Sequence, residues 1–273
     1  MLKRFTTAFI LIALGVALLA LRSVSPIILD AAIAVVLLAA LYEMLRAFKE
    51  DIPKSLAVAI MVTGALTFPL SFAGDHTAIY ALALGSFVAA MIVQLFDRAV
   101  TLKSLGLYAL MLFYPLLLIS LFYRMNDYTH GLFLIVATLA VACLCDTFAF
   151  FVGSALKGPK LAPEISPKKT ISGAIGGLFG GTGGIFATYY FFTLVLGETL
   201  PFSWITLAVA GLIGSVFTVI GDLAESALKR QIGIKDFGAL LPGHGGVMDR
   251  LDSTLLCGFF MYVFFVVAFP AGF

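Results

Sequence analysis

Charge is what this chain has least of. Of its 273 residues only 12% are Asp, Glu, Lys or Arg, whereas 62% are hydrophobic, and the mean hydropathy is +1.10. Soluble domains carry about 25% charged and about 45–50% apolar residues. The shortfall excludes an ordinary water-soluble domain and leaves a polytopic membrane protein, an all-α bundle of transmembrane helices. The net charge of +2 says little, because the placement of the charges matters more than their sum. No nucleic-acid partner is expected. Cysteine is scarce too: Cys143, Cys145 and Cys257 all lie in apolar segments. Cys143 and Cys145 are two apart on an expected helix and point away from each other, which excludes both a disulfide and a zinc site between them. There is no fixed-period repeat, no inverted repeat and no low-complexity tract.

What is present is a succession of long apolar runs. A spanning helix needs about 20 mostly apolar residues. Nine segments qualify: 5–22, 26–45, 56–73, 77–96, 104–123, 131–154, 172–196, 203–227 and 253–271. The first follows Lys3-Arg4 and runs longer than a signal-peptide core, with no small-x-small cleavage site after it. It is expected to be retained. Lys and Arg then fix the orientation. With the N-terminus inside and the C-terminus outside, only Arg22 and Arg124 of the 17 basic residues fall on the outer side. Two regions follow: 1–130, five spans forming a scaffold with few buried polar groups, and 131–273, four spans with polar residues gathered at their inner ends. Asp30 is expected to sit exposed near the outer interface, and Pro69 and Pro115 to kink their helices.

Residues 172–184 read SGAIGGLFGGTGG. Gly173, Gly177 and Gly181, and separately Gly176, Gly180 and Gly184, form four-residue ladders that let helix backbones touch, within the bundle or across a homodimer.

The ionisable residues concentrate between Asp222 and Asp252. Asp222, Glu225 and Ser226 share a helix face at i, i+3 and i+4, and Lys229 and Arg230 continue it at the membrane edge. The loop Pro242-Gly243-His244-Gly245-Gly246 permits tight turns and close approach of backbone N–H groups to a ligand. His244, set between Lys235 and Asp249, is a candidate phosphate contact when protonated. Asp249 and Asp252 open the last span, and Asp222 closes the one before it. Oxygen ligands from two successive helices suit a hard divalent cation such as Mg²⁺, which takes only one or two protein carboxylates when phosphates share it. Asp146, near the inner end of the sixth span, is a further acid. Asp146 and Asp252 are candidates for a second cation or for orienting a basic partner. Ser166-Pro167-Lys168-Lys169-Thr170 adds paired lysines in a loop stiffened by Pro159, Pro163 and Pro167, with Ser166 or Thr170 capping the glycine-rich helix.

The run Ser226-x-x-Lys229-Arg230-x4-Lys235-Asp236-x-Gly238-x3-Leu241-Pro242-x-His244-Gly245-Gly246-x-x-Asp249-Arg250-x-Asp252 resembles the signature of the phosphatidate cytidylyltransferases, or CDP-diacylglycerol synthases. Asp146-x-x-Ala149-Phe150-x-x-Gly153 and Ile165-Ser166-Pro167-Lys168-Lys169-Thr170 are similar to further elements of that family. The specific resemblance covers about 146–252. One departure stands out: where the family shows an aromatic, Glu and Gly after Lys-Lys-Thr, this chain has Ile171-Ser172-Gly173. The resemblance implies a nucleotidyltransferase of phospholipid biosynthesis in the inner membrane, with its site facing the cytoplasm. CTP and phosphatidate would give CDP-diacylglycerol and pyrophosphate, with Mg²⁺. The expected catalytic groups are Asp222, Asp249, Lys168, Arg230, His244 and Arg250. Lys169, Ser226, Lys229, Lys235, Gly245 and Gly246 are expected to bind substrate beside them, and Asp222, Asp249, Asp146 and Asp252 to hold metal. A CDP-alcohol phosphotransferase is disfavoured by the missing DGxxAR motif. A CTP-dependent polyprenol or phytol kinase shares the chemistry and is the nearest rival. A transporter would place its polar groups at the midplane rather than at one interface.

Overall fold

The computed structural model describes residues 13–268, apart from 14, 16, 19, 73–75 and 241–244. Among the described residues eight helices are long and apolar enough to cross a membrane: α1 (Pro26–Ala47), α2 (Lys54–Ser71), α3 (Thr77–Phe96), α4 (Leu102–Asp127), α5 (Gly131–Leu156), α6 (Ile171–Val195), α7 (Trp204–Gln231) and α8 (Met248–Val267). Each coincides with one of the expected segments from 26–45 onward. The expected segment 5–22 lies largely outside the described residues. The loop before α6 is more ordered than its prolines suggest. It forms an antiparallel hairpin of β1 (Lys160–Ala162) and β2 (Ser166–Thr170), with Lys160 opposite Thr170 and Ala162 opposite Ser166. Pro163 lies in the turn and Pro167 near the start of β2, positions where a missing N–H is tolerated.

The chain divides into two compact units, one made of residues up to Asp127 together with Asp236–Arg250, the other of Tyr128–Lys235 together with residues from Leu251 onward. In the first unit α1 packs on α2 and α4. Leu37, Leu41 and Met44 of α1 are fully buried, as are Tyr108 and Met111 of α4. Pro115 sits in a π-helical turn, Leu112–Leu117, where the wider winding accommodates a ring that offers no N–H. Polar groups are more frequent here than the sequence suggests. Asp30 is buried rather than interfacial, at 4% exposure, because Asn126 Nδ2 donates to its Oδ1 at 2.9 Å. Arg22 Nε donates in turn to Asn126 Oδ1 at 2.5 Å. Burial of such a carboxylate is tolerable only with such partners.

In the second unit α5 and α6 are in backbone contact. A Cβ on Gly173 would stand 2.7 Å from the Ala149 carbonyl oxygen, one on Gly180 2.7 Å from that of Leu144, and one on Gly184 2.8 Å from that of Ala140. The ladder is therefore used inside the bundle, and Gly181 also meets Ser215 of α7. No larger residue could take these places without parting the helices. Near the start of α5, Phe133 stacks on Phe202 at 5.6 Å and meets Phe192 and Phe265 edge-on. This closes one end of the unit with aromatic area and leaves the other end for polar groups.

Candidate functional site

The close α5–α6 pairing brings three segments together in the second unit: the last turns of α5, the hairpin leading into α6, and the last turns of α7. Thr170 caps α6 by accepting the Gly173 N–H at 3.1 Å. Gly153 and Gly173 lie so near each other that a Cβ on Gly153 would be 3.3 Å from Gly173 Cα. A cavity of about 310 Å³ opens there. Its lining includes Asp146 from α5, Lys168 and Lys169 from β2, and Asp222 from α7, over an apolar wall that includes Phe150 and Val219. Acids and bases thus share one pocket at the ends of apolar helices.

Within it Lys169 Nζ pairs with Asp222 Oδ2, and both side chains keep about a quarter of their surface exposed, 24% and 23%. Ser226 Oγ donates to Asp222 Oδ1 at 3.3 Å, as the i, i+4 spacing allows. Lys168 and Asp146 are exposed. Arg230, one turn further on, is exposed, with its Nε 3.5 Å from the Ile165 carbonyl oxygen of the hairpin turn. Lys229 is turned the other way. Its ammonium donates at 3.0 Å to Glu225, which is completely buried. Asp252 on α8 lies in the electrostatic field of Asp222, Asp146 and Lys229. Its Oδ1 accepts the Ser253 N–H at 2.7 Å. Gly221 packs directly on the Asp252 carbonyl, so α7 and α8 meet closely beside Asp222. Lys235 is exposed.

The remaining expected residues belong to the first unit. Asp249 is buried, and its carboxylate accepts N–H groups from Phe237 at 3.0 Å, Gly238 at 3.5 Å and Gly246 at 2.9 Å. Gly245 has φ +83°, which suits glycine, and a Cβ there would stand 3.1 Å from Asp249 Oδ2. Arg250 is exposed. His244 lies outside the described residues.

Among the described residues no three His, Cys, Asp or Glu side chains form a cluster able to hold a metal ion by themselves. Magnesium does not require one when a nucleotide is present, since phosphates and waters fill most of its octahedron. The hard oxygens of Asp146 and Asp222 on one cavity meet that smaller demand. The ammonium already resting on Asp222 shows that this carboxylate draws a cation.

A model of the cytidylyltransferase family matches residues 2–268. The chain belongs to that family. Over 147 residues it is 46% identical to a phosphatidate cytidylyltransferase of Brucella melitensis, a match covering 54% of this chain and 52% of that protein. A phosphatidate cytidylyltransferase of Haemophilus influenzae is 41% identical over 150 residues, 53% of this chain and 51% of its own. The Bacillus subtilis phosphatidate cytidylyltransferase is 43% identical over 133 residues, 49% and 47% respectively. The matched stretches thus span about half the length of these curated relatives.

Two features are not evident from the sequence. Lys157, at the end of α5, has φ +55°, the only positive value at a non-glycine among the described residues. Ser172 Oγ donates to its carbonyl. That conformation is uncommon away from glycine, and the following Gly158, at φ +107°, completes the reversal into the hairpin. The other is Glu43 of α1. It is 1% exposed, and its Oε2 accepts the Met248 N–H at 2.9 Å. The signal for Glu43 was present: a carboxylate flanked by apolar residues, ALYEMLRA, one turn before the span ends.

Proposed function

We propose that the chain is a phosphatidate cytidylyltransferase of the cytoplasmic membrane, acting on CTP at the cytoplasmic face. The observation that carries this reading is the cavity itself. Lys168, Lys169, Asp146 and Asp222 line one pocket at the ends of three apolar helices. Ionisable groups so near a bilayer are disfavoured unless they serve a ligand. A soluble polyanion and a lipid phosphate at headgroup level can both reach such a place.

In the proposed reaction a phosphate oxygen of phosphatidate attacks the α-phosphorus of CTP. A new P–O bond forms, the bond from the α-phosphorus to the bridging oxygen breaks, and pyrophosphate leaves with that electron pair. The lipid phosphate is the nucleophile, so no Ser or Cys of the protein is needed. Phosphoryl chemistry of this kind asks mainly for positioning and charge neutralisation. Lys168 and Lys169 supply cationic charge to the incoming phosphates, and Lys169 exchanges Asp222 for a phosphate oxygen as it does so. Arg230 offers a planar fork for a second phosphate. Glu225 holds the Lys229 ammonium in place as a buried, neutral pair.

Asp222 and Asp146 would hold Mg²⁺, and Asp252 is the donor proposed for a second cation. Asp249 is kept as a proposed ion ligand on its chemistry, a hard carboxylate at the head of α8. When bound, Mg²⁺ would neutralise charge on the triphosphate and so aid departure of pyrophosphate.

The test is incubation of purified protein with phosphatidate, Mg²⁺ and CTP labelled at either the α- or the γ-phosphate, followed by lipid extraction. Label from the α-position alone in the lipid is expected. Label from the γ-position would make the protein a lipid kinase, and none from either would remove the proposal.

A further inference from the structure

The reversal from α5 into the hairpin is made under strain. Lys157 stands at φ +55° and ψ −137°, and Gly158 follows at φ +107°. A side chain disfavours the first conformation, so a lysine keeps it only where surrounding bonds impose it. Such outliers gather where the chain is held in place for a purpose, and this one lies at the foot of the hairpin that lines the cavity.

Two bonds close that foot. Ser172 Oγ donates to the Lys157 carbonyl, and the Ile171 N–H donates to the Pro159 carbonyl at 3.0 Å. The Lys157 N–H still donates to the Gly153 carbonyl at 3.1 Å, so Lys157 remains tied to α5 on its other side. Ser172 Oγ also lies 3.2 Å from Thr170 Oγ1. A serine hydroxyl has one proton, and here it goes to the Lys157 carbonyl, so Thr170 donates to Ser172. Thr170 in turn accepts the Gly173 N–H at 3.1 Å. One continuous relay of hydrogen bonds therefore joins the first turn of α6 to the end of α5, with Ser172 as its middle member.

What hangs from this foot is β2. It carries Lys168 and Lys169 into the cavity lining, and Lys169 reaches Asp222 of α7. At the tip of the hairpin the hold is weak, a 3.5 Å approach of the exposed Arg230 to the Ile165 carbonyl. Lys168 is four residues from Ser172, on the order of 13 Å along an extended strand, so a swing of about 5° at the foot moves it by roughly 1 Å.

We propose that Ser172 is a positioning residue for phosphate binding: by holding the Lys157 carbonyl it fixes the foot of the hairpin, and with it the places of Lys168 and Lys169 opposite Asp222. This deepens the reading of the cavity as the site of CTP-dependent transfer and rests on it. Ser172 is not part of the cavity lining and acts through the two lysines. A misplacement of about 1 Å can lower a rate by about 10²-fold.

The experiment uses the full chain in lipid nanodiscs and compares Ser172→Ala, Ser172→Thr and Ser203→Ala with the unaltered protein. Ser203 supplies a matched control, a hydroxyl that accepts the Thr206 N–H at 3.1 Å at the far end of α7. Initial rates of cytidylyl transfer are measured at varied CTP, well below the lowest Tm, together with Tm and amide exchange at Ile171 and Gly173. Ser172→Ala should lower kcat/KM for CTP by about tenfold, between no effect and the full cost of a 1 Å shift. Exchange at both amides should quicken. Ser172→Thr keeps the hydroxyl and should restore most of the rate. Ser203→Ala should lower Tm through the lost cap and leave kcat/KM as it was.

Unchanged kcat/KM in Ser172→Ala overturns the proposal. So does equal loss in Ser172→Ala and Ser172→Thr, or a loss in Ser203→Ala that matches that of Ser172→Ala. If Ser172→Ala does not fold, Ser172→Cys decides, since a thiol is a weaker donor of similar size: lowered kcat/KM with Tm retained supports the proposal, and kinetics equal to those of the unaltered protein overturn it. An unaltered protein with no transfer from CTP removes the functional reading instead. Exchange at Ile171 and Gly173 then still shows whether Ser172 closes the hairpin.

Discussion

Three buried carboxylates of the first unit and two cavity carboxylates of the second are held in different ways. In the first, Asp30, Glu43 and Asp249 are buried, and their described partners are amide or backbone N–H groups. These acids hold the chain to itself. In the second, Asp146 and Asp222 line a cavity, and the partner of Asp222 across it is a lysine side chain that is itself partly exposed. A lysine tip can leave for a phosphate, whereas a backbone N–H cannot leave without unfolding its turn. The difference teaches that burial and donor type distinguish carboxylates that a motif presents as equivalent: Asp249 is held by backbone N–H groups, Asp222 by a lysine side chain. In the signature run, Asp222 and Asp249 look alike.

Asp222→Asn is the widest way to sharpen this contrast. It keeps the size and the Ser226 contact but removes the charge that draws Lys169 or a metal. Cytidylyl transfer should fall by about 10²–10³-fold, the usual scale for loss of one well-placed electrostatic group. The Tm should stay within a degree or two, because the Lys169 pair is partly exposed and screened. Rates from labelled CTP together with a thermal melt check both halves. Full activity would move the site out of the cavity.

Asp249→Asn should break on the other side of the comparison. An amide presents one accepting oxygen where the carboxylate has two, and adds donors with nothing to meet. The N–H groups of Phe237 and Gly246 then compete for that oxygen. A loss of about 1–3 kcal/mol is expected for each buried group left unmatched. Tm should therefore drop clearly, and amide exchange at 237, 238 and 246 should quicken, alongside any loss of activity. A Tm unaltered by this change would mean that Asp249 does not hold the loop.

Much of this was legible beforehand. Apolar runs place α1 to α8, because helices in lipid must be long and must satisfy their own backbone. The glycine ladder announces backbone contact, but not with which helix, since any neighbour of matching shape would serve; α5 and α7 are found there. Lys169 and Asp222 stand out as ionisable residues, yet their pairing depends on the hairpin 160–170, which prolines disguise as a loop. Asp30 is expected at the interface, and Glu43 draws no expectation, because a lone acid near a span end usually faces water. Their partners, Asn126 and Met248, are 96 and 205 residues away, beyond any local pattern.

Arg230→Lys tests the exposed rim of the cavity. It keeps the charge and replaces a planar fork with a point charge. A reduction of about tenfold in kcat/KM is expected, the equivalent of one lost hydrogen bond to a charged group. The Tm should be unmoved, since the only described contact of the guanidinium is a 3.5 Å approach to Ile165. Initial rates at varied CTP measure it, and kinetics equal to those of the unaltered protein would remove Arg230 from the phosphate-binding set.

The smallest effect belongs to an ion pair of the first unit that resembles Lys169–Asp222 on paper. Lys103 Nζ donates to Asp51 Oδ1 at 2.6 Å, with side-chain exposures of 68% and 36%. Both pairs join a lysine to an aspartate across different elements, and both are open to solvent. Exposed pairs of this kind contribute about 0–1 kcal/mol, because water screens the attraction and the long side chain loses freedom. Lys103→Ala should therefore shift Tm by no more than a few degrees and leave cytidylyl transfer unchanged. Lys169→Ala should give the same small shift in Tm but a large loss of transfer. Matched melts and initial rates on the two variants separate the alternatives. Equal activities would mean that the cavity pair is only another surface contact, and the contrast between the units would fail at its centre.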